Sequence, residues 1–141
     1  MIDKQEFYHG VAIIRLLESE HYQRVQKHNL GYTVNDETFV FLKYSTKSRS
    51  PWRFSFSCDD SERLNSLASS FRKIVVALVC GGDGICAITW REAAGLLGND
   101  AGWISARRDF NEQYGVAGPQ GKLKNKVTLG HWPSIVFEDQ S

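Results

Sequence analysis

The sequence has almost no excess of charge of either sign. Its 17 Lys and Arg residues against 16 Asp and Glu residues give a formal net charge of +1. Overall charge therefore favours neither a nucleic acid nor a membrane surface as a partner, and any such preference has to come from local clusters. Long apolar runs are also missing, because the longest covers only residues 74–80. Since spanning a bilayer takes about 20 apolar residues, this excludes a transmembrane helix and we expect no membrane partner.

Cysteine is scarce. Cys58, Cys80 and Cys86 are an odd number of thiols and include no CxxC pair. Such a set is typical of reduced thiols rather than of a disulfide framework. The first residues also lack the apolar stretch of a secretory signal. These observations predict a cytoplasmic location.

What the sequence does contain is enough apolar material for one core. Of its 141 residues, 42% are hydrophobic and 12% are aromatic. This length matches one domain, and the composition is that of a globular protein rather than of a disordered chain. We expect a single domain over residues 1–141, with its core at about 4–98 and a loop-rich basic part at about 99–141.

Residue periodicity predicts a mixed order of helices and strands. Capping boxes start helices at about 4–18 and 89–98, and Asp59, Asp60 and Ser61 start another. Residues 20–28 fit either a continuing helix or a short edge strand, and a following turn signal favours the strand. Alternating patterns and short apolar runs predict strands at 32–34, 38–44, 52–56, 74–80, 85–89, 103–108 and 134–137.

This order predicts an α+β fold in which a mixed, largely antiparallel central sheet is flanked by helices. It resembles the core of the restriction-endonuclease-like PD-(D/E)xK superfamily over about residues 4–80. In that family two carboxylates hold Mg²⁺ while a lysine positions or polarises the attacking water. The resemblance implies a metal-dependent nuclease whose cofactor is Mg²⁺.

Carried over to this sequence, the resemblance makes Lys43 the catalytic lysine. Asp36 and Glu37 would be the catalytic carboxylates and metal ligands. Glu18, or Glu6 in its place, would be an auxiliary metal ligand from the first helix.

The chain departs from the family pattern at Phe41, where an acidic residue is needed two positions before the lysine. Glu37 and Lys43 are also six strand residues apart, which is roughly 20 Å at about 3.3 Å per residue, too far to share one ion unless the strand bends. The alternative is that Asp36 and Glu37 are ordinary turn residues of a hairpin.

The stretch 43–53 combines four cations with hydroxyls and aromatic residues and contains no acid. Such a segment binds phosphates by charge and hydrogen bonds, and its aromatic rings are available for stacking. A second basic set lies in the last third of the chain. If the fold brings both sets over the open side of one sheet, they form a positive groove. The predicted nucleic-acid-binding residues are Lys43, Lys47, Arg49, Trp52, Arg53, Arg107, Arg108, Lys122 and Lys124.

An alternative interpretation of this stretch remains open. Lys47 and Arg49 would then lie on a solvated hairpin tip, and Trp52 would belong to the core.

The sequence therefore predicts a nucleic-acid-binding domain of nuclease-like fold, with DNA or RNA as its partner. Whether it also cuts as a diverged Mg²⁺-dependent phosphodiesterase stays open. The alternative function is a protein-interaction or regulatory module without chemistry, in which exposed Trp and Tyr side chains bind a partner protein.

Overall fold

The computed structural model describes residues 1–99 and 101–138. The first helix, α1 (Lys4–Leu17), begins after Asp3, whose carboxylate accepts a hydrogen bond from the backbone N–H of Glu6 at 2.8 Å. The predicted start of this helix is confirmed. The elements that follow along the chain are β1 (Val25–Lys27), β2 (Tyr32–Val34), β3 (Thr38–Ser45), β4 (Trp52–Phe56), α2 (Cys58–Leu67), β5 (Lys73–Cys80), β6 (Gly84–Thr89), α3 (Trp90–Leu97), β7 (Gly102–Arg107), β8 (Gly115–Gly118), β9 (Gly121–Lys122) and α4 (His131–Phe137).

Most element boundaries follow from local sequence signals. The ambiguous segment 20–28 contains β1, so its interpretation as an edge strand is confirmed. Helix α2 begins slightly earlier than predicted because Ser57 and Asp60 exchange the two hydrogen bonds of a capping box. The capping box predicted at the start of α3 is also present.

A five-stranded sheet, here called the first sheet, has the strand order β1-β2-β3-β5-β6. Strands β3 and β5 pair in parallel along their whole length, and every other neighbouring pair in this sheet is antiparallel. The predicted α+β class with a mixed, largely antiparallel sheet is therefore confirmed. The restriction-endonuclease-like core stays a prediction.

Four further strands form a second sheet in the order β4-β7-β8-β9, all antiparallel. The expectation of a single sheet is therefore wrong. In the first sheet β3 is already paired on both sides, with β2 and β5, so β4 cannot pair with the strand that precedes it in the chain. Instead, Trp52, Phe54 and Phe56 of β4 turn inward and pack on the face of the first sheet.

Both faces of the first sheet are covered by apolar material. On one face Phe41, Val76 and Leu78 contact the second sheet, α2 and α3 in one core cluster. On the other face Val40 and Ala77 contact α1 and α4 in a second cluster. Because β3 and β5 are buried on both sides, they form the centre of the molecule. The inner face of the second sheet packs against them.

The predicted strand at 134–137 is instead part of α4. Its Ile135 and Val136 are buried against the first sheet, which they meet at a face and not at an edge. The buried ammonium group of Lys73 donates to the carbonyl oxygens of Ile135 at 2.6 Å and Glu138 at 2.5 Å. A cation at a helix C-terminus stabilises it. The β-branched residues favoured a strand on propensity alone, and the tertiary contacts override that preference.

Candidate nucleic-acid interface

The second sheet has an inner face in the core and an outer face open to solvent. On β7, Ile104 and Ala106 are buried, so the alternating pattern turns Trp103, Ser105 and Arg107 outward. The side chains of β4 alternate in the same way. Residues paired across neighbouring strands lie on one side of the sheet, so the register shows which residues of β8 and β9 also face outward. This outer face consists of Arg53, Ser55, Trp103, Ser105, Arg107, Gly115, Ala117 and Lys122.

Cross-strand register arranges one row of the outer face from edge to edge. Arg53 pairs with Ser105, Ser105 with Ala117, and Ala117 with Lys122. Three strand spacings of about 4.8 Å separate the two ends of the row, so its two cations stand roughly 14 Å apart at the backbone. Arg107 lies two residues beyond Ser105 and pairs with Gly115, which adds a third cation on the same side.

The charge of this face is of one sign. Its cations are Arg53, Arg107 and Lys122, and none of the four strands of the second sheet contains Asp or Glu. Within residues 1–99 and 101–138, no carboxylate lies within 4.0 Å of any of these three side chains. Three solvated cations without counter-ions therefore share an open surface of small and hydroxyl side chains.

Trp103 stands out on this face because it is an aromatic residue that is only partly buried. The guanidinium carbon of Arg53 lies 4.4 Å from the centre of its ring, a cation–π contact between diagonal neighbours on β4 and β7. Trp52, Trp90 and Trp132 are each at most 5% exposed. The sequence reasoning missed Trp103 as a site residue, although the alternation along 102–107 places it on the same face as Arg107.

The loop 46–51, here called the basic loop, carries exposed Lys47 and Arg49 toward one end of the outer face. Its Ser50 hydroxyl accepts a hydrogen bond from the backbone N–H of Arg108 at 3.0 Å, immediately after β7. Arg49 and Arg107 are therefore the chain neighbours of the two residues in this contact. The basic loop therefore contacts the end of β7, next to Arg107.

A glycine keeps the basic loop against the turn between β5 and β6. Gly81 has a φ of +54°, and a Cβ built there would lie 2.2 Å from the carbonyl oxygen of Lys47. The indole N–H of Trp52 donates to that same oxygen at 2.9 Å. Only glycine combines the positive φ with this close approach, so the turn fixes the path of the loop.

Arg108 is held within the protein and does not join the open cations. Its Nε and Nη2 donate to the two carboxylate oxygens of Asp83 at 2.8 and 2.5 Å, and the Tyr114 hydroxyl donates to the same carboxylate at 2.7 Å. The hydrogen bonds from Arg108 lower the pKa of Asp83. Burial, followed by the contact with Asp83, raises the pKa of the Tyr114 phenol. The expectation that Arg108 contacts phosphate is corrected, because this network orders the end of β7 instead.

Trp52 is also corrected as a nucleic-acid-binding residue. It is 2% exposed, and its ring packs edge-on against Tyr114 in the core between the sheets. The alternative that Trp52 is a core residue is confirmed.

Lys43 lies away from the outer face. Its ammonium group is 3.2 Å from an oxygen of Asp60 and stands over the rings of Phe56 and Phe41 at 5.0 and 5.4 Å. It lines a cleft of about 420 Å³ between α1, β3 and β4, which Arg53 also lines. Since Asp60 neutralises it, Lys43 does not extend the row of unpaired cations.

The structure does not assemble the proposed catalytic and metal residues. Asp36 is paired with Arg24 at 3.3 Å, and Glu37 with Arg72 at 3.6 Å, at the opposite end of β3 from Lys43. In the part of the chain that the structure describes, no group of three His, Cys, Asp or Glu side chains could hold a metal ion. Asp36, Glu37 and Lys43 therefore do not form the single centre expected from the resemblance, which is a correction of that prediction.

The positions of Glu18, the remaining acidic candidate, and of the turn after β2 agree with this result. Glu18 is the C-terminal cap residue of α1. Asn35 and Asp36 have φ values of 54° and 57°, and the Glu37 N–H donates to the Val34 carbonyl oxygen at 3.1 Å, as in a type I′ turn. Asp36 and Glu37 are therefore turn residues, in agreement with the alternative interpretation.

The last predicted residue, Lys124, is exposed two positions beyond β9. Between it and Lys122, Leu123 packs against the core and its N–H donates to the Val116 carbonyl oxygen at 2.9 Å. Lys124 therefore lies near the β8–β9 edge of the outer face.

Comparison of the chain with protein families, curated proteins and solved structures gave no match. Over the described residues, no helix has the length and apolar character needed to cross a membrane.

Proposed function

We propose that the protein binds nucleic acid through the outer face of the second sheet. The observation that carries this proposal is the set of three cations, Arg53, Arg107 and Lys122, which share an acid-free open surface and have no carboxylate within reach in the described residues. Their charge has no partner in this part of the chain, so a polyanion can be bound without breaking an internal ion pair. The proposal stands on this local cluster, since the net charge of +1 supports no partner by itself.

The other features of the surface suit a phosphate backbone. Ser55 and Ser105 offer hydroxyl donors beside the cations, and Gly115 and Ala117 leave the sheet open to close approach. Neutralising a phosphate with a Lys or Arg side chain releases counter-ions, which drives binding and makes it salt-dependent. Exposed Lys47 and Arg49 extend the same charge from the basic loop.

We propose binding alone rather than hydrolysis. The two carboxylates expected at a catalytic centre, Asp36 and Glu37, are paired with arginines at the opposite end of β3 from Lys43. The cations of the outer face belong to a different sheet.

Charge reversal tests the proposal. The triple variant Arg53→Glu/Arg107→Glu/Lys122→Glu should lose binding of a labelled oligonucleotide, measured by fluorescence anisotropy at low salt. A matched control, Lys4→Glu/Lys27→Glu/Arg91→Glu, changes the net charge equally at exposed positions outside the second sheet. The proposal requires the control to keep at least most of the affinity. Equal loss in both variants, or absence of binding by the unmodified protein, would refute it.

The exposed apolar side of α1 favours a second candidate function, self-association. Phe7, Ile14 and Leu17 are 62%, 58% and 45% exposed, and Gly10 lies between them with no atom within 4 Å of where its Cβ would stand. Positions 7, 10, 14 and 17 are separated by three, four and three residues, so the pattern is unchanged when the direction of the helix is reversed. In an antiparallel second copy, Ile14 therefore fills the notch at Gly10 and Phe7 meets Leu17.

The protein-interaction alternative rests on this helix and not on the Trp side chains, because three of the four are buried. Analytical ultracentrifugation should show a mass that rises with concentration, and Ile14→Asp should abolish the rise. A constant mass of 16.0 kDa over the whole concentration range would exclude this candidate.

A further inference from the structure

We infer that the outer face binds single-stranded nucleic acid, with one base stacked on the Arg53–Trp103 pair. This inference rests on the proposed function and names the class of nucleic acid that the same surface accepts. Two features of the surface carry it: its shape and the placement of its one partly exposed tryptophan.

The shape of the outer face does not suit a duplex groove. Reading the major groove of B-DNA takes a helix or a two-stranded ribbon that projects into it. The outer face of the four-stranded sheet instead presents short residues beside Trp103. These are Ser55, Ser105, Ala117 and Gly115. Such a shallow surface is reached by bases that are splayed out from a single strand.

The Arg53–Trp103 pair offers a flat platform on this surface. The guanidinium carbon of Arg53 stands over the indole ring at 4.4 Å from its centre, so a cation and an aromatic ring are in contact on the open face. Bases stack both on aromatic rings and on guanidinium planes. A base placed on the outer side of Arg53 extends this contact into a stack of three.

Cations flank the platform in two directions. Arg107 lies four residues from Trp103 along β7, roughly 13 Å at about 3.3 Å per residue. Lys122 lies three strands across the sheet from Arg53. A single-stranded nucleic acid that crosses the platform therefore passes a cation on either route.

Tryptophan fluorescence provides a specific readout, because the other three tryptophans are at most 5% exposed. We expect oligothymidylate of about 15 nucleotides, a length within the site sizes of single-strand binders, to quench the emission to saturation. A blunt duplex of equal length should bind more weakly. Trp103→Leu should remove the quenching and weaken binding about 5- to 150-fold, the range for losing one stacked base.

Two arginine variants separate stacking from charge. Arg53→Lys keeps the charge but loses the planar platform, so affinity should fall while the dependence on salt is retained. Arg91→Lys is the matched control and should stay within about two-fold of the unmodified protein, because Arg91 is exposed on α3, outside the second sheet. Thermal melts followed by circular dichroism check that each variant is folded.

The outcomes distinguish this inference from the proposed function. Duplex bound as tightly as single strand, or unchanged affinity in folded Trp103→Leu, would overturn the single-strand inference while leaving phosphate binding intact. No binding of either probe would overturn both. Quenching that is lost with Trp103 and a preference for the single strand would support both.

Discussion

The guanidinium carbon of Arg53 lies 4.4 Å from the ring centre of Trp103, across the strand pair that joins the basic middle of the chain to its C-terminal third. The pairing of β4 with β7 thus brings together two segments that are 50 residues apart in the sequence. It also leaves Arg107 and Lys122 on the same open face. The proposed function depends on this sheet and not on the larger one that forms the centre of the fold.

The basic loop provides a first test of how the surface is built. Gly81→Ala should destabilise the protein by about 1–3 kcal/mol, because the new Cβ meets the Lys47 carbonyl oxygen at 2.2 Å and φ is +54°. Gly82→Ala is the matched control, since nothing lies within 4 Å of its Cβ and its φ is not positive. Urea unfolding measures both. Equal stability of the two variants would show that Gly81 does not constrain the loop.

The Asp83 network predicts a pH dependence of stability. Because hydrogen bonds from Arg108 lower the pKa of Asp83 in the folded state, its stabilising contribution is present above the unfolded value of about 3.9 and is lost as the pH falls through the lower folded value. Asp83→Asn should therefore cost about 1–2 kcal/mol at neutral pH.

The same comparison in acid checks the sign of this effect. Urea unfolding at about pH 3 should show a smaller difference between the unmodified protein and Asp83→Asn than at neutral pH. Tyr114→Phe removes one hydrogen bond to the same carboxylate. It should cost less stability than Asp83→Asn at neutral pH, and this cost should also shrink in acid. A difference that grows toward acid would contradict the assignment of the shift to Asp83.

Gly10 offers a test in which monomer stability and self-association move in opposite directions. Gly10→Ala should stabilise the monomer by up to about 1 kcal/mol, because alanine is the better helix former and the added Cβ meets no atom within 4 Å. If a second copy inserts Ile14 into the notch at Gly10, the same change should weaken the dimer. Thermal melts at low concentration and sedimentation at high concentration measure the two effects. A more stable monomer with unchanged association would remove Gly10 from the interface.

The sequence predicted the local elements better than their arrangement. Hydrogen-bonding signals within a few residues, such as those at Asp3 and Thr89, locate the helix starts because both partners lie in the same segment. The strand alternation of 52–56 correctly shows which residues turn inward. It does not tell which sheet the strand joins, because that depends on whether β3 has a free edge.

The candidate site shows the same limit. Lys43 and Arg108 had the right charge to bind phosphate, but their partners Asp60 and Asp83 lie 17 and 25 residues away, and only the folded chain shows that the pairs form. Trp52 and Trp103 are both on alternating strands, and which of them is buried depends on which side of the second sheet meets the core. Charge patterning thus located the basic segments, whereas ion pairing and burial select the residues that remain available.

The most direct test of the central claim is the salt dependence of oligothymidylate binding. For a single strand, the slope of log Kobs against log salt changes by about 0.7 for each phosphate contact. The double variant Arg107→Ala/Lys122→Ala should therefore have a slope less steep than that of the unmodified protein by about 1.4, whereas Lys4→Ala/Arg91→Ala should keep the slope. The same slope in all three proteins would contradict binding through the outer face of the second sheet.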